Sequence, residues 1–321
     1  MTAFRTRLTD LLGIEHPVIQ ASLGPWTSAE LAAAVSEAGG LGSIGTVLMS
    51  AERVAELVAR TRELTSRPFA VNFSARGPFD PEAFEATLAT RPAAITFAHG
   101  DPGDLPAQAH DAGTRFIQMV NTVAAARRAA EQGADAVIAQ GSESAGFGGQ
   151  VAALPLIPQV VDAVPELPVI ASGGIADGRG LAAALVLGAD GVNVGTRFLA
   201  STEASVSEDW KRAIVDAESE DAVRAEFANA LVPKPDWDGA YDVVPRVLRT
   251  PFVDEWNARL EDVPGAADRL RDEVMSAVAA GRLHELIPFT GQTAGLVHDV
   301  LPAAEILERM LGEAEHALAR H

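Results

Sequence analysis

Eight short apolar runs, each long enough for one strand, predict an α/β fold built as a TIM (β/α)8 barrel. Most runs begin 20 to 28 residues after the previous one, which leaves room for one helix and two loops. They do not alternate apolar and polar residues, as expected of parallel strands that are buried on both faces. A doubly wound open sheet is the competing fold. The runs are PVIQA (17–21), LGSIG (41–45), FAVNF (69–73), AAITFA (93–98), RFIQMV (115–120), DAVIAQG (135–141), PVIASGG (168–174) and GVNVGT (191–196).

The segments between these runs carry the spacing of helices. SAELAAAVSEAG begins with Ser28, an expected N-cap, and ends at Gly39. SAERVAELVARTREL places Val54, Leu57 and Val58 near one helical face. Strands and helices therefore alternate along the first 200 residues, as a barrel requires.

The pattern changes after about residue 201, where several long segments all have helical spacing. We interpret residues 202–300 as a smaller, mostly helical lobe that contributes to the substrate site or acts as a lid. Residues 1–201 and 301–321 then form the barrel, and the last helix, from Pro302 onward, returns to close it.

The composition argues against several classes of function. The 44 acidic and 25 basic residues give a net charge of −19, which disfavours nucleic acids and anionic membrane surfaces as partners. Cysteine is absent, which excludes disulfides and metal–thiolate sites, and the seven histidines are too scattered to indicate a metal site. We find neither the apolar core of a signal peptide nor a membrane-spanning run, so a cytoplasmic protein is expected.

Amide side chains lie at the carboxyl ends of several predicted strands, where barrels of this kind bind their ligands. An amide both donates and accepts hydrogen bonds, which suits the mixed edge of a flavin ring better than an ionic substrate. These residues are Gln20, Asn72, Gln118, Gln140 and Asn193.

Two glycine-containing loops follow the seventh and eighth runs. Gly173 and Gly174 separate a strand from a helix, and Gly195 and Thr196 repeat the arrangement one strand later. Backbone N–H groups in such loops bind phosphate, and this end of a barrel frequently does so. The motifs of a Rossmann dinucleotide site and of a Walker loop are not found at the expected places.

Five segments, in order, resemble those of the nitronate monooxygenases: IQASLGPWTSAELAAAVSEAGGLGSIG, FAVNF, GADAVIAQGSESAGFGG, VIASGGIADGRGLAAALVLGADGVNVGTRF, and GQTAGLV with PAAEIL. The matches cover about residues 14 to 200 and 290 to 310. The resemblance implies an FMN-binding TIM barrel. It implies flavin contacts from Asn72 and Gln140, phosphate contacts from the two glycine loops, and a cofactor site made by Ala21, Asn72, Gln118, Gln140, Gly141, Ala145, Gly173, Gly174, Asn193, Val194, Gly195 and Thr196.

The central motif departs from this family at three positions, and the last of them matters most for the chemistry. Its members read Gln-Gly-x-Glu-Ala-Gly-Gly-His, and Phe147 stands where the family has the histidine that acts beside the flavin. A phenyl ring can neither take a proton nor polarise an oxygen. His99, just past the fourth strand, could replace the histidine, although a structural role is the competing interpretation. Glu143 and Ser144 are further candidates, and Gln292 could reach the site from the lobe.

Three functions remain open at this point. The first is an FMN-dependent oxidoreductase that acts on a nitronate or another small, apolar substrate, with O2 or a second substrate reoxidising the flavin. The second is a relative of the FMN-dependent enoyl reductases that uses NADH or NADPH. The third is a flavin-binding protein with little turnover, and a phosphosugar isomerase is disfavoured because it leaves the Asn72 and Gln140 motifs unexplained. A homodimer is compatible with the apolar surface of the lobe.

Overall fold

The structure, a computed structural model, describes residues 4–76, 79–231 and 243–320. Its centre is a sheet of eight parallel strands, and each strand overlaps one of the eight apolar runs, so the predicted barrel is confirmed. The strands are β1 (Val18–Gln20), β2 (Gly42–Gly45), β3 (Phe69–Ser74), β4 (Ala94–Ala98), β5 (Arg115–Val120), β6 (Ala136–Gln140), β8 (Val169–Ser172) and β9 (Gly191–Val194), with β7 (Gly146–Gly148) outside this sheet.

The sheet closes on itself. Its strands follow the order β1, β9, β8, β6, β5, β4, β3 and β2, and a parallel bridge between Ile19 and Leu41 joins the two ends. Closure brings the carboxyl ends of all eight strands to one end of the barrel.

Helices cover the outside of this sheet. Ser28 caps α2 with its side chain, as the sequence predicts, and Gly39 follows that helix with a left-handed φ of +89°. The helices are α1 (Arg7–Leu12), α2 (Ala29–Glu37), α3 (Ala51–Leu64), α4 (Pro81–Ala89), α5 (Leu105–Asp111), α6 (Val123–Glu131), α7 (Ala153–Ala163), α8 (Gly178–Val186), α9 (Thr196–Leu199), α10 (Glu208–Val215), α11 (Pro251–Asn257), α12 (Val263–Ala279) and α13 (Ala303–Ala319). None of the helices in the described ranges is long and apolar enough to cross a bilayer.

The amino-terminal end of the barrel is filled by apolar side chains. Leu8 and Leu12 of α1 pack with Ile19, Ile117 and other inward-facing strand residues in one buried cluster. This end therefore holds the barrel together, and the opposite end is left for a ligand.

The carboxyl-terminal helix packs against two helices of the barrel. α13 packs against α8 and α2. The approach is close at Gly178, where a Cβ atom would lie 2.3 Å from the backbone N of Ala314 and the backbone O of Met310. Glycine is therefore required at this crossing.

The region after β9 contains strands that the sequence analysis did not anticipate. Alongside α10, α11 and α12 it forms β10 (Ala222–Arg224) and β11 (Val244–Leu248), and β11 also pairs with β7 of the barrel loop. The mostly helical description thus misses a three-stranded antiparallel sheet that ties residues 202–300 to the loop carrying Phe147. Whether this region is a separate lobe stays a prediction.

Candidate active site

A cavity of about 510 Å³ opens at the carboxyl ends of the barrel strands. Its volume falls within the range typical of small-molecule sites. Strand ends, the loop with β7 and residues 289–293 form its wall, which is mostly apolar and includes Trp26 and Phe289. The cavity is therefore shared between the barrel and the region that follows it.

Both glycine loops reach this one cavity. Gly173 and Gly174 have left-handed φ values of +94° and +74°, and Gly195 and Thr196 lie beside them after β9. Hydrogen bonds between Ser172 and Asn193 join the ends of β8 and β9. The Ser172 hydroxyl donates to the backbone O of Asn193 (3.2 Å) and accepts from the side-chain amide of Asn193 (3.1 Å).

A buried hydroxyl lies next to these loops. Ser144 Oγ has no hydrogen-bond partner within the described part of the chain, and a Cβ on Gly173 would lie 2.5 Å from it. The Thr196 hydroxyl accepts from the Gly291 amide at 3.0 Å. Together, the loops and the Ser144 hydroxyl present donors around a space that a phosphate could enter.

The structure brings most of the sequence-predicted cofactor residues together. The Asn72 amide is held by hydrogen bonds to the backbone O (3.2 Å) and the hydroxyl (2.9 Å) of Thr96. The residues of that prediction that line the cavity are Ala21, Asn72, Gln140, Ala145, Gly173, Gly174, Asn193, Gly195 and Thr196.

Gln118, Gly141 and Val194 are not among the residues that line the cavity. Gln118 instead donates to the backbone O of Gly100 at 3.3 Å, while its neighbour Met119 reaches the cavity. Val194 is buried in the outer core. Side chains alternate along a strand, so inward-facing Met119 and Asn193 leave Gln118 and Val194 on the outer face.

Phe147 belongs to β7, where it pairs with Pro245 of β11. Its ring lies 6.1 Å from Phe289, centroid to centroid. The guanidinium carbon of Arg76 lies 3.7 Å from the centre of the same ring, which is a cation–π contact. The family's histidine position is thus an apolar surface with a cation over it.

His99 lies beside Phe147, but both of its ring nitrogens are occupied. Nε2 is 3.1 Å from the backbone O of Phe147, which can only accept, so the proton sits on Nε2. Nδ1 is 3.1 Å from Ser74 Oγ, which therefore donates to it. Burial lowers the pKa of His99 from its usual 6.5 to about 4, the hydrogen bond to Phe147 opposes this, and the charge of Arg76 adds to it. In this arrangement His99 is a neutral linker and leaves no nitrogen for a substrate.

The remaining candidates have structural partners. Both carboxylate oxygens of Glu143 accept from the Ala153 amide (3.0 Å) and so cap α7. Gln292 donates its backbone N–H to the Glu143 carbonyl at 3.0 Å, while its neighbours Gly291 and Thr293 line the cavity. Tyr241, for which the sequence favours a packing role, lies outside the described residues.

Sequence reasoning missed Arg76 as a site residue. It follows β3, is 4% exposed and lines the cavity. The available signal was its position, because it is a cation at the end of a barrel strand in a strongly acidic chain.

The family model of nitronate monooxygenase matches residues 5–88 and 78–313. The chain belongs to the nitronate monooxygenase family. A nitronate monooxygenase of Pseudomonas aeruginosa is 32% identical over 360 residues, covering 96% of this chain and 98% of that protein. Members of the nitronate monooxygenase family are flavoproteins, and this chain is accordingly an oxidoreductase.

Two other similarities point to relatives with different names. The (3aS,4S,5R,7aS)-5-hydroxy-7a-methyl-1-oxo-octahydro-1H-indene-4-carboxyl-CoA dehydrogenase of Rhodococcus jostii is 30% identical over 342 residues, covering 98% of this chain and 97% of that protein. Among solved structures, FabK from Thermotoga maritima has a TM-score of 0.90 and 37% identity, with 98% of each chain covered.

Proposed function

We propose that the cavity binds FMN, with the phosphate between the loops at 173–174 and 195–196 and the ring beside Asn72 and Gln140. Three observations support this. Both loops border the same cavity, the buried Ser144 hydroxyl has no partner within the described ranges, and the volume suits a small-molecule ligand. FMN would supply the electron-accepting and electron-donating chemistry.

We further propose that the enzyme oxidises a nitronate, or another small and largely apolar substrate, that does not need a protein base to remove a proton from carbon. The observation that carries this proposal is the combination of Phe147 at the histidine position with a His99 ring whose two nitrogens are both engaged. A nitronate is already an anion, whereas a neutral nitroalkane must first lose a proton. Loss of a general base typically costs about 10² to 10⁴ in rate.

The apolar side chains of the wall would hold the substrate against the flavin and exclude water. The ring centroids of Trp26 and Phe289 are 6.0 Å apart, and those of Phe147 and Phe289 are 6.1 Å apart. Burial of a planar or apolar substrate among these rings would supply binding free energy without a charged partner.

The test begins with an absorption spectrum of the protein after FMN is supplied, in which the bands of a bound flavin are expected. Anaerobic titration with ethyl nitronate should then bleach these bands. Neutral nitroethane at the same concentration should bleach them at least about 100 times more slowly. A protein that stays colourless contradicts FMN binding, and equal rates with the two compounds contradict the absence of a base.

A second candidate is an oxidoreductase of acyl thioesters that uses NADH or NADPH. It is favoured by the 37% identity to FabK and by the similarity to a carboxyl-CoA dehydrogenase. Rapid anaerobic flavin reduction by NADH or NADPH, followed by reoxidation with butenoyl-CoA, would support it over nitronate oxidation. Lack of reduction by nitronates and nicotinamides alike would leave a flavin-binding protein with little turnover.

A further inference from the structure

Arg76 places a cation in the wall of a mostly apolar cavity. Its side chain is almost fully buried, and Nη2 donates to Asn229 Oδ1 at 2.7 Å. The guanidinium lies over the face of Phe147 at 3.7 Å. These two contacts fix the plane of the guanidinium, so its N–H groups are held in one orientation.

The other ionisable groups around the described cavity have different roles. Asp80 accepts from the amides of Glu82 and Ala83 as the cap of α4. Glu143 caps α7 in the same way, and His99 is neutral and engaged. Burial lowers the pKa of Arg76 to about 10, which leaves it protonated at neutral pH. Among the described residues that line the cavity, Arg76 is therefore the one that carries a positive charge at neutral pH.

We propose that Arg76 binds an oxyanion of the substrate and that Phe147 is the platform that orients it. This inference rests on the proposed function and names the part of the substrate that is recognised. A guanidinium supplies fixed N–H donors to an oxygen that carries or develops negative charge, and such hydrogen bonds are strong where water is excluded.

The replacement of histidine by Phe147 fits this arrangement. The face of a phenyl ring attracts a guanidinium, whereas a protonated imidazole at the same distance repels it. The cavity has thus exchanged a group that takes protons for one that only donates hydrogen bonds. Such a site suits a nitronate oxygen or the carbonyl oxygen of an unsaturated thioester, where negative charge develops on reduction.

Binding of an unreactive probe tests this proposal without turnover. Hexanoate and its neutral counterpart hexanamide are titrated calorimetrically into the wild-type protein, Arg76→Met and Arg76→Lys. Arg62→Met is the matched control, because Arg62 stacks on Phe69 at 4.4 Å outside the cavity. We expect Arg76→Met to raise the Kd of hexanoate about tenfold to hundredfold, with the Kd of hexanamide within about twofold of wild type. Arg62→Met should leave both values unchanged.

Unchanged hexanoate binding in Arg76→Met would overturn the proposal. If Arg76→Met binds neither hexanoate nor hexanamide, the ratio of the two Kd values in Arg76→Lys is the deciding measurement. Tighter binding of hexanoate than of hexanamide by Arg76→Lys supports charge recognition. Equal binding of the two probes overturns it. Because the titration needs no flavin, failure of FMN binding would contradict the proposed function and leave this result standing.

A kinetic experiment distinguishes the two candidate oxygens, that of a nitronate and that of a thioester carbonyl. Arg76→Met and Arg62→Met are compared in kcat/KM with ethyl nitronate and with butenoyl-CoA in the presence of NADH. A loss of at least about tenfold confined to ethyl nitronate identifies a nitronate oxygen, and one confined to butenoyl-CoA identifies a thioester carbonyl. Equal values in both variants with both substrates would overturn the proposal.

Discussion

Removal of the buried imidazole at position 99 should change how the stability of the protein depends on pH. His99 has a left-handed φ of +62°, and asparagine tolerates this conformation better than most residues. His99→Asn therefore removes the titrating ring while keeping the backbone. It also removes the hydrogen bonds to Ser74 and Phe147, so the variant should be less stable than wild type at every pH.

The size of the pH effect follows from the two pKa values. The pKa of His99 is about 4 in the folded protein and 6.5 when exposed, so folding favours the neutral ring. Its stabilising contribution is fully present above pH 6.5 and is lost as the pH falls toward 4, because only the unfolded chain takes up the proton. Between pH 7.5 and pH 5.5 the loss is about 1.3 kcal/mol. A folded-state pKa of about 5 would change this figure by only about 0.1 kcal/mol.

Urea unfolding, followed by tryptophan fluorescence at pH 7.5 and pH 5.5, measures this difference. Both pH values keep clear of the isoelectric point of about 4.7. The stability gap between wild type and His99→Asn should narrow by about 1.3 kcal/mol at the lower pH. The exposed His316→Asn serves as a control for a histidine on the surface of α13. A gap that stays constant within about 0.3 kcal/mol would refute the assignment of His99 as a buried neutral linker.

Three further changes test the site and the packing around it. Gly173→Ala should raise the Kd of FMN about tenfold or more, because its Cβ would lie 2.5 Å from Ser144 Oγ at a φ of +94°. The Kd is measured from the fluorescence of released flavin, and an unchanged Kd would argue against a phosphate there. Gly178→Ala should lower the Tm by about 3 to 8 °C in calorimetry, since its Cβ would lie 2.3 Å from the backbone N of Ala314, and an unchanged Tm would contradict that close approach. Phe147→His should accelerate anaerobic flavin reduction by neutral nitroethane about tenfold or more, and the rate with ethyl nitronate should stay within about twofold of wild type. An unchanged rate with nitroethane would contradict the idea that the site lacks a base for proton removal.

The strands of the barrel could be predicted because each signal is local. An apolar run of five or six residues followed by a capped helix specifies a buried parallel strand wherever it occurs in the chain. The short strands β7, β10 and β11 carry no such signal. Gly146–Gly148 becomes a strand only because Val244–Leu248, almost a hundred residues later, supplies its hydrogen-bonding partner. Pairing across that distance is a property of the folded chain.

The residues predicted to bind the cofactor show the same division at finer scale. The sequence places Gln118 and Met119 at the end of one strand, and only the register of the closed barrel decides which of the two faces inward. A shift of one residue exchanges the faces of a strand, because successive side chains point in opposite directions. Asn193 and Val194 differ for the same reason.

The order of strands, helices and glycine loops along the chain determined the barrel fold, the end of the barrel that carries the cavity, and membership in the nitronate monooxygenase family. Folding alone decided that Phe147 lies under Arg76, that His99 has no free nitrogen and that Phe289 joins the wall. The physical reason is the separation along the chain over which each kind of interaction acts. Propensities, caps and turns act over a few residues, whereas a cation–π contact or a buried hydrogen bond joins groups that are neighbours only in space.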